Sequence, residues 1–186
     1  MKCKIESTKS VYNGFLKIDE VNATFDAFDG SQLNKTFEVL DKGDAVAVLV
    51  EDIESQSFLL VKQLRIPTLK HQLGWILEIP AGMMESFETP ENCAKRELME
   101  EIGYHVNELN YLFPFYATPG ASTERVHLFH AKVTSKDKIQ KGGGAKNEIE
   151  DINIVSVKIK DIKKMIGNEI IDGKSIIGIY HYFSEK

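Results

Sequence analysis

The sequence predicts an α/β fold: an α/β/α sandwich with a mixed sheet, preceded by an N-terminal antiparallel β extension. Three observations carry this expectation. Two valine- and leucine-rich runs, Ala45 to Val50 and Phe58 to Leu64, read as strands buried on both faces. One well-capped helix opens at Thr89-Pro90. Two further segments with helical apolar spacing close the chain, so both faces of a sheet can be covered. At 186 residues and 42% hydrophobic content, the chain is long enough for one domain with a real core.

The elements follow in order. Val21, Ala23, Phe25 and Ala27 alternate as one face of a strand, Asp29-Gly30 reads as a turn, and Phe37 to Leu40 as the return strand. These predict an N-terminal hairpin within a unit over residues 1–42, ahead of a main domain over 43–186. An isolated two-stranded unit is marginal in water, so the hairpin needs a surface to pack on. The two buried strands come next, joined by the polar turn Asp52 to Ser57, and Trp75 to Ile79 is a short strand. After the capped helix, Leu109 to Tyr116 and Val126 to Val133 read as strands flanking the loop Thr118 to Ser122. Lys136 to Asn147, with Gly142-Gly143-Gly144, reads as a mobile loop, and Ile154 to Ile159 as the last strand. Ile162, Met165 and Ile166 then recur at helical spacing, and an apolar run from Ser175 to Phe183 reads as the final helix.

The most informative stretch is residues 82–104. It places Gly82, five residues, Glu88, seven residues, then Arg96-Glu97-Leu98-Met99-Glu100-Glu101-Ile102-Gly103. If each residue type occurs at roughly one position in fifteen, seven fixed matches arise by chance on the order of once in 10^8 starts. Thr89 caps, Pro90 takes the first helical position, and Gly103 stops the helix, giving a helix of about thirteen residues. On such a helix Glu97, Glu100 and Glu101 lie at roughly 0°, −60° and +40°, three carboxylates on one face. Each like-charge pair costs about 0.2–0.5 kcal/mol, and the negative end of the helix dipole adds to the penalty. A solvated acidic face is the ordinary reading of such pairs, but it leaves the spacing to Gly82, Glu88 and Arg96 unexplained. A bound cation offsets both penalties, and hard oxygen ligands point to Mg2+ or Mn2+.

This stretch resembles the Nudix box, GX5EX7REUXEEXGU, in which U is aliphatic; Tyr104 departs from the last U. Other segments are similar to the ADP-ribose pyrophosphatase and nucleoside diphosphate sugar hydrolase branch. They are Leu77 to Gly82, Lys62 to Arg65, Thr118 to Arg125, and Glu148 to Ile152. The resemblance implies metal ligation by Glu97, Glu101 and the Ala81 carbonyl, with Glu100 assisting. It leaves Glu78 between a place in the metal shell and a solvent-facing one. It implies structural roles for Gly82, Glu88, Arg96 and Gly103, and a catalytic base at Glu148 or Glu150. On the substrate side it implies Arg65, Glu124 and Pro119. Relatives carry an arginine in an REV-like segment where this chain reads Phe37-Glu38-Val39, so Phe37 becomes a candidate for stacking on the base. The implied reaction is divalent-metal-dependent hydrolysis of a nucleoside diphosphate sugar, ADP-ribose first and GDP-mannose or ADP-glucose next. A non-catalytic ADP-ribose sensor is the alternative of another class. The branch also implies a homodimer whose N-terminal strands cross to the partner, with Phe25 and Phe37 as candidate contact residues.

Composition narrows the partners. Net charge is −5 and no segment is both basic and aromatic, which disfavours nucleic acid. Cys3 and Cys93 are too few for a disulfide framework. The first residues lack a signal-peptide core and no apolar run approaches ~18 residues, so a cytoplasmic protein without membrane contact is expected. The five histidines show no metal-binding spacing.

Overall fold

The computed structural model of the protein describes residues 1–71, 74–145 and 150–185. It divides into two compact units. The first comprises Met1–Asp44 with Tyr116–Arg125, the second Ala45–Phe115 with Val126–Lys186.

The first unit holds a three-stranded antiparallel sheet of β1 (Cys3–Asn13), β2 (Lys17–Asp26) and β3 (Gln32–Asp41), in that order. The expected hairpin is therefore β2 and β3, with a third strand in front of it. Every residue of β1 is exposed, so it carries no apolar alternation from which to read a strand. The register sorts the side chains by face. Asn22, Thr24, Asn34 and Thr36 form a hydrogen-bonded polar ladder at 3.0–3.1 Å. Val21, Ala23 and Phe25 lie on the opposite face with Ile5, Leu33 and Phe37 beside them. Residues 118–123 are tied to the end of β3 through Leu40 N to Ala121 O at 2.8 Å and Thr123 N to Leu40 O at 3.0 Å.

The second unit is the α/β/α sandwich. Its mixed sheet runs β10 (Asn153–Lys158), β5 (Ser57–Leu64), β4 (Asp44–Asp52), β9 (Arg125–Val133), β8 (Asn110–Tyr116). β4 and β5 pair at Val50–Asp52 with Ser57–Leu59. Farther along, β5 pairs with β6 (Trp75–Glu78) and β4 pairs with β7 (Ala81–Met83). The segment from Trp75 to Met83 thus lies between the two central strands, and it delivers Ala81 and Gly82 to the sheet.

Alternation on β4 and β5 builds two cores. Val46, Val48, Val50, Leu59 and Val61 pack under Cys93, Ala94, Leu98 and Ile102. On the other face Ala47, Leu49, Phe58 and Leu60 pack with Ile162, Ile170, Ile179 and Tyr182. The covering helices are α1 (Pro90–Glu97) on the first face and α2 (Gly173–Ser184) on the second. Thr89 Oγ1 accepts from Asn92 N at 3.2 Å, and Gly103 ends the helical run at φ 77°.

Three further elements differ from the sequence-based expectation. The box helix is not uniformly α: Leu98–Ile102 forms a π-turn. The segment around Ile162 to Ile166 is a short 3-10 turn, Ile162–Met165, pinned by buried Ile162. The glycine loop is also more engaged than a mobile loop. Gly143 N donates to Glu101 O at 2.9 Å and Gly144 N to Glu100 O at 3.0 Å, satisfying carbonyls the helix end leaves free. Gly142 has φ 71°, and a Cβ there would collide with the Glu101 carbonyl and the Ile102 backbone.

Candidate active site

The box folds into a tight acidic corner of the second unit. Glu97 and Glu101 are buried, at 9% and 2% exposure. Gly82 makes room for the first: a Cβ at that position would sit on the Glu97 carboxylate. Ala81 N donates to Glu101 Oε2 at 3.0 Å, which ties the second carboxylate to β7. Glu97 ends α1, and the π-turn, a feature common at functional sites, holds Glu101 buried and Glu100 partly exposed, so that Glu97 and Glu101 form the inward pair.

Arg96 organises the loop side. Its Nε and Nη2 donate to the two oxygens of Glu88 at 3.1 and 3.0 Å, and Nη2 also reaches the Met83 carbonyl at 3.1 Å. Its Nη1 contacts Glu97 at 2.7 Å and Glu100 at 3.1 Å. Hydrogen bonding to Arg96 holds the Glu88 carboxyl below the usual range. Cys93 is buried beside this cluster. Burial first, and the Glu88 charge second, push its thiol up to about 12.

The electrostatics of the inward pair run the other way. Burial raises Glu97 to about 7; contacts with Arg96 oppose this, while the charges of Glu100 and Glu150 add to it. Glu101 is raised well above 4.5 by burial first and by Glu97 second, with Glu150 contributing. Two buried carboxyls that both resist ionisation suit a position that gains a cation. Among the described residues, no three His, Cys, Asp or Glu side chains are gathered into a cage of their own. A cation here would take Glu97, Glu101 and the Ala81 carbonyl, with water completing the shell, the usual arrangement for Mg2+. The residues fit that group.

Glu150 adds its charge to the upward shift of both carboxyls. Its Oε2 accepts from Ala145 N at 3.1 Å and its Oε1 lies 3.5 Å from Gln63 Nε2. Glu148, the other candidate base, lies outside the described residues.

Arg65 is engaged within the protein. Its Nε and Nη2 donate to Glu78 at 3.0 and 2.6 Å. Burial works against the Arg65 charge, but Glu78 more than offsets it, with Glu101 and Asp172 adding to the effect. Glu78 is 3% exposed and does not face solvent. Lys174 approaches it at 3.3 Å and pairs with Asp172 at 2.9 Å. Lys174, Asp172 and Ser175 come from the start of α2, and sequence reasoning missed all three as site residues. The only signal was the Asp172-to-Ser175 spacing of a helix cap.

The remaining candidates belong to the first unit. Phe37 is 36% exposed, its ring 6.2 Å from that of Phe25, with Lys35 Nζ 4.9 Å above it. Glu124 pairs with Lys42 at 2.6 Å, and Pro119 is exposed.

Comparison with known proteins agrees with this architecture. Residues 41–171 match the family model for the NUDIX domain. GDP-mannose pyrophosphatase of Shigella flexneri serotype 5b is 34% identical over 161 residues, covering 84% of this chain and 83% of that protein. The Citrobacter koseri GDP-mannose pyrophosphatase is also 34% identical, and that of Escherichia coli O1:K1 / APEC 33%, with the same coverage. A crystal structure of an ADP compounds hydrolase superposes with a TM-score of 0.77 over 100% of this chain and 94% of that one. At 16% identity it shares the fold. The chain belongs to the NUDIX family. Within it, the chain is a Nudix pyrophosphohydrolase.

Proposed function

We propose that this enzyme hydrolyses the diphosphate bond of nucleoside diphosphate sugars with Mg2+ or Mn2+ held by Glu97, Glu101 and the Ala81 carbonyl. The observation that carries the reading is the buried pair of raised carboxyls beside Gly82. When bound, the divalent ion neutralises diphosphate charge and lowers the pKa of water.

The chain's own residues do the rest. Arg96 fixes the loop from Gly82 to Glu88 and keeps Glu97 in place. Glu150 is the general base that takes the proton of the attacking water, with Glu148 as the alternative. Glu100 assists from the rim of the pair. Arg65, still 39% exposed at its side chain, offers its open face to a substrate phosphate or ribose. Phe37, Pro119 and Glu124 are substrate-side candidates on the first unit.

ADP-ribose is the substrate the sequence puts first. The identity of about one third to GDP-mannose pyrophosphatases over most of the chain favours GDP-mannose. The intact acidic pair argues against a non-catalytic sensor. Assays of product release from GDP-mannose, ADP-ribose and ADP-glucose, each with and without Mg2+, test the reading. Cleavage of none, or cleavage unaffected by chelation, would overturn it.

The apolar face of the N-terminal sheet supports a two-fold dimer. Ile5, Leu33 and Phe37 lie on that face at 62%, 48% and 36% exposure, an arrangement suited to burial against a second copy. Among the described residues no helix is long and apolar enough to cross a membrane. A cytoplasmic location fits the reaction.

A further inference from the structure

We propose that Ser175, at the start of α2, is a positioning residue for the Ala81 peptide, and through it for the cation site. The inference rests on the reading of Ala81, Glu97 and Glu101 as that site.

Ser175 is fully buried. Its backbone N–H donates to Asp172 Oδ2 at 3.1 Å, which is all that capping α2 requires. Its hydroxyl does something further. It donates to the same oxygen at 2.7 Å and accepts from Ile79 N at 2.8 Å, ninety-six residues away in sequence.

That acceptor matters because of where Ile79 lies. Each residue from Glu78 to Ala81 is held by one partner or more. Glu78 is gripped by Arg65 and approached by Lys174. Ile79 N–H goes to Ser175, and the Pro80 carbonyl accepts from Val48 N at 2.9 Å. Ala81 N–H goes to Glu101. Proline has no N–H, so the Ile79 N–H is the last donor before Ala81 itself. The Pro80 ring fixes one of the torsions between Ile79 and Ala81, so the anchored Ile79 N–H limits where Ala81 can lie. Ala81 presents its carbonyl, in the peptide to Gly82, as a candidate ligand, and its N–H, in the peptide from Pro80, to Glu101. Ser175 therefore helps to position the segment that carries the Ala81 carbonyl and, through the Ala81 N–H, Glu101, without touching the ion or the substrate.

The test is Mn2+ affinity of the full-length protein, read from the electron paramagnetic resonance signal of free ion, alongside the melting temperature. Ser175→Ala removes the acceptor. Ser175→Cys keeps the space filled but offers only a weak acceptor, and serves if the alanine variant does not fold. Both are expected to bind Mn2+ about 10- to 100-fold more weakly, the range typical of groups that orient a ligand from behind. Ile162→Val, in the buried cluster that includes Ile79, is the control for general loss of stability. It should melt lower and bind Mn2+ as the wild type does. The role of Ser175 is overturned if both serine variants bind like wild type, or if Ile162→Val weakens binding equally. Wild-type protein that binds no Mn2+ would instead overturn the cation site, and this role with it.

Discussion

Replacing Glu101 by Gln should make the metal-free protein more stable while abolishing its response to divalent cations. Gln keeps the shape of the side chain, and its oxygen can still accept from Ala81 N, 3.0 Å from the present carboxylate. What it removes is a charge that burial and Glu97 both oppose. The scale comes from the neighbour: raising the Glu97 carboxyl from 4.5 to about 7 corresponds to about 3 kcal/mol of native-state penalty once it is ionised. Most of that is the burial of Glu97 itself, which the substitution leaves in place. Eliminating the Glu101 charge should return on the order of 1–3 kcal/mol. For a chain of this size that is a rise in Tm of about 3–10 °C. The sign with pH follows from the direction of the shifts. Carboxyls with raised native pKa stabilise fully below about pH 4.5 and lose that contribution as pH rises through about 7 for Glu97. The gain in the variant should therefore be large near pH ~8 and small near pH ~5 in chelator. Adding Mg2+ at about 100 times its Kd should stabilise wild type by about 2.7 kcal/mol and the variant hardly at all. Calorimetric melts at the two pH values, with chelator and with Mg2+, provide the measurement. A variant no more stable than wild type at the higher pH, or one with an undiminished Mg2+ response, would refute the reasoning.

Gly82→Ala should leave a folded protein, because the position needs no positive φ, yet displace the Glu97 carboxylate. Activity should fall about 100-fold or more with Mg2+ affinity, and normal turnover would mean that Glu97 is not needed where it lies. Glu150→Gln should lower kcat by about 100- to 10,000-fold with little change in KM, as for a general base; a near-normal kcat transfers the role to Glu148 or to the ion alone. Light scattering at micromolar concentration should give the mass of a dimer, and a monomer would defeat the role assigned to the apolar N-terminal face. In that dimer, Phe37→Ala should raise KM for the best substrate by about tenfold if the ring stacks on the base; an unchanged KM would make Phe37 a packing residue only.

The sequence by itself determined most of the strands of the sandwich, the capped helix and the family. These rest on local rules: continuous apolar runs on β4 and β5, the Thr89-Pro90 start and Gly103 stop, and fixed spacing from Gly82 to Gly103. Such rules act within one or two turns of chain and are visible in one dimension. The sequence also marked Glu97 and Glu101, but only as members of an acidic face. The tertiary structure decided that these two are buried, Glu97 at the end of α1 and Glu101 in the π-turn, while Glu100 stays partly exposed beside Arg96. It also decided that β1 is a strand, since its residues are all exposed and only pairing with β2 defines it. The start of α2 is the clearest case. Asp172, Lys174 and Ser175 read as an ordinary cap in sequence, yet they hold Glu78 and Ile79. The physical reason is common to all three. Burial, charge coupling and backbone pairing depend on groups brought together from distant parts of the chain, and no local pattern records which partner a side chain will meet.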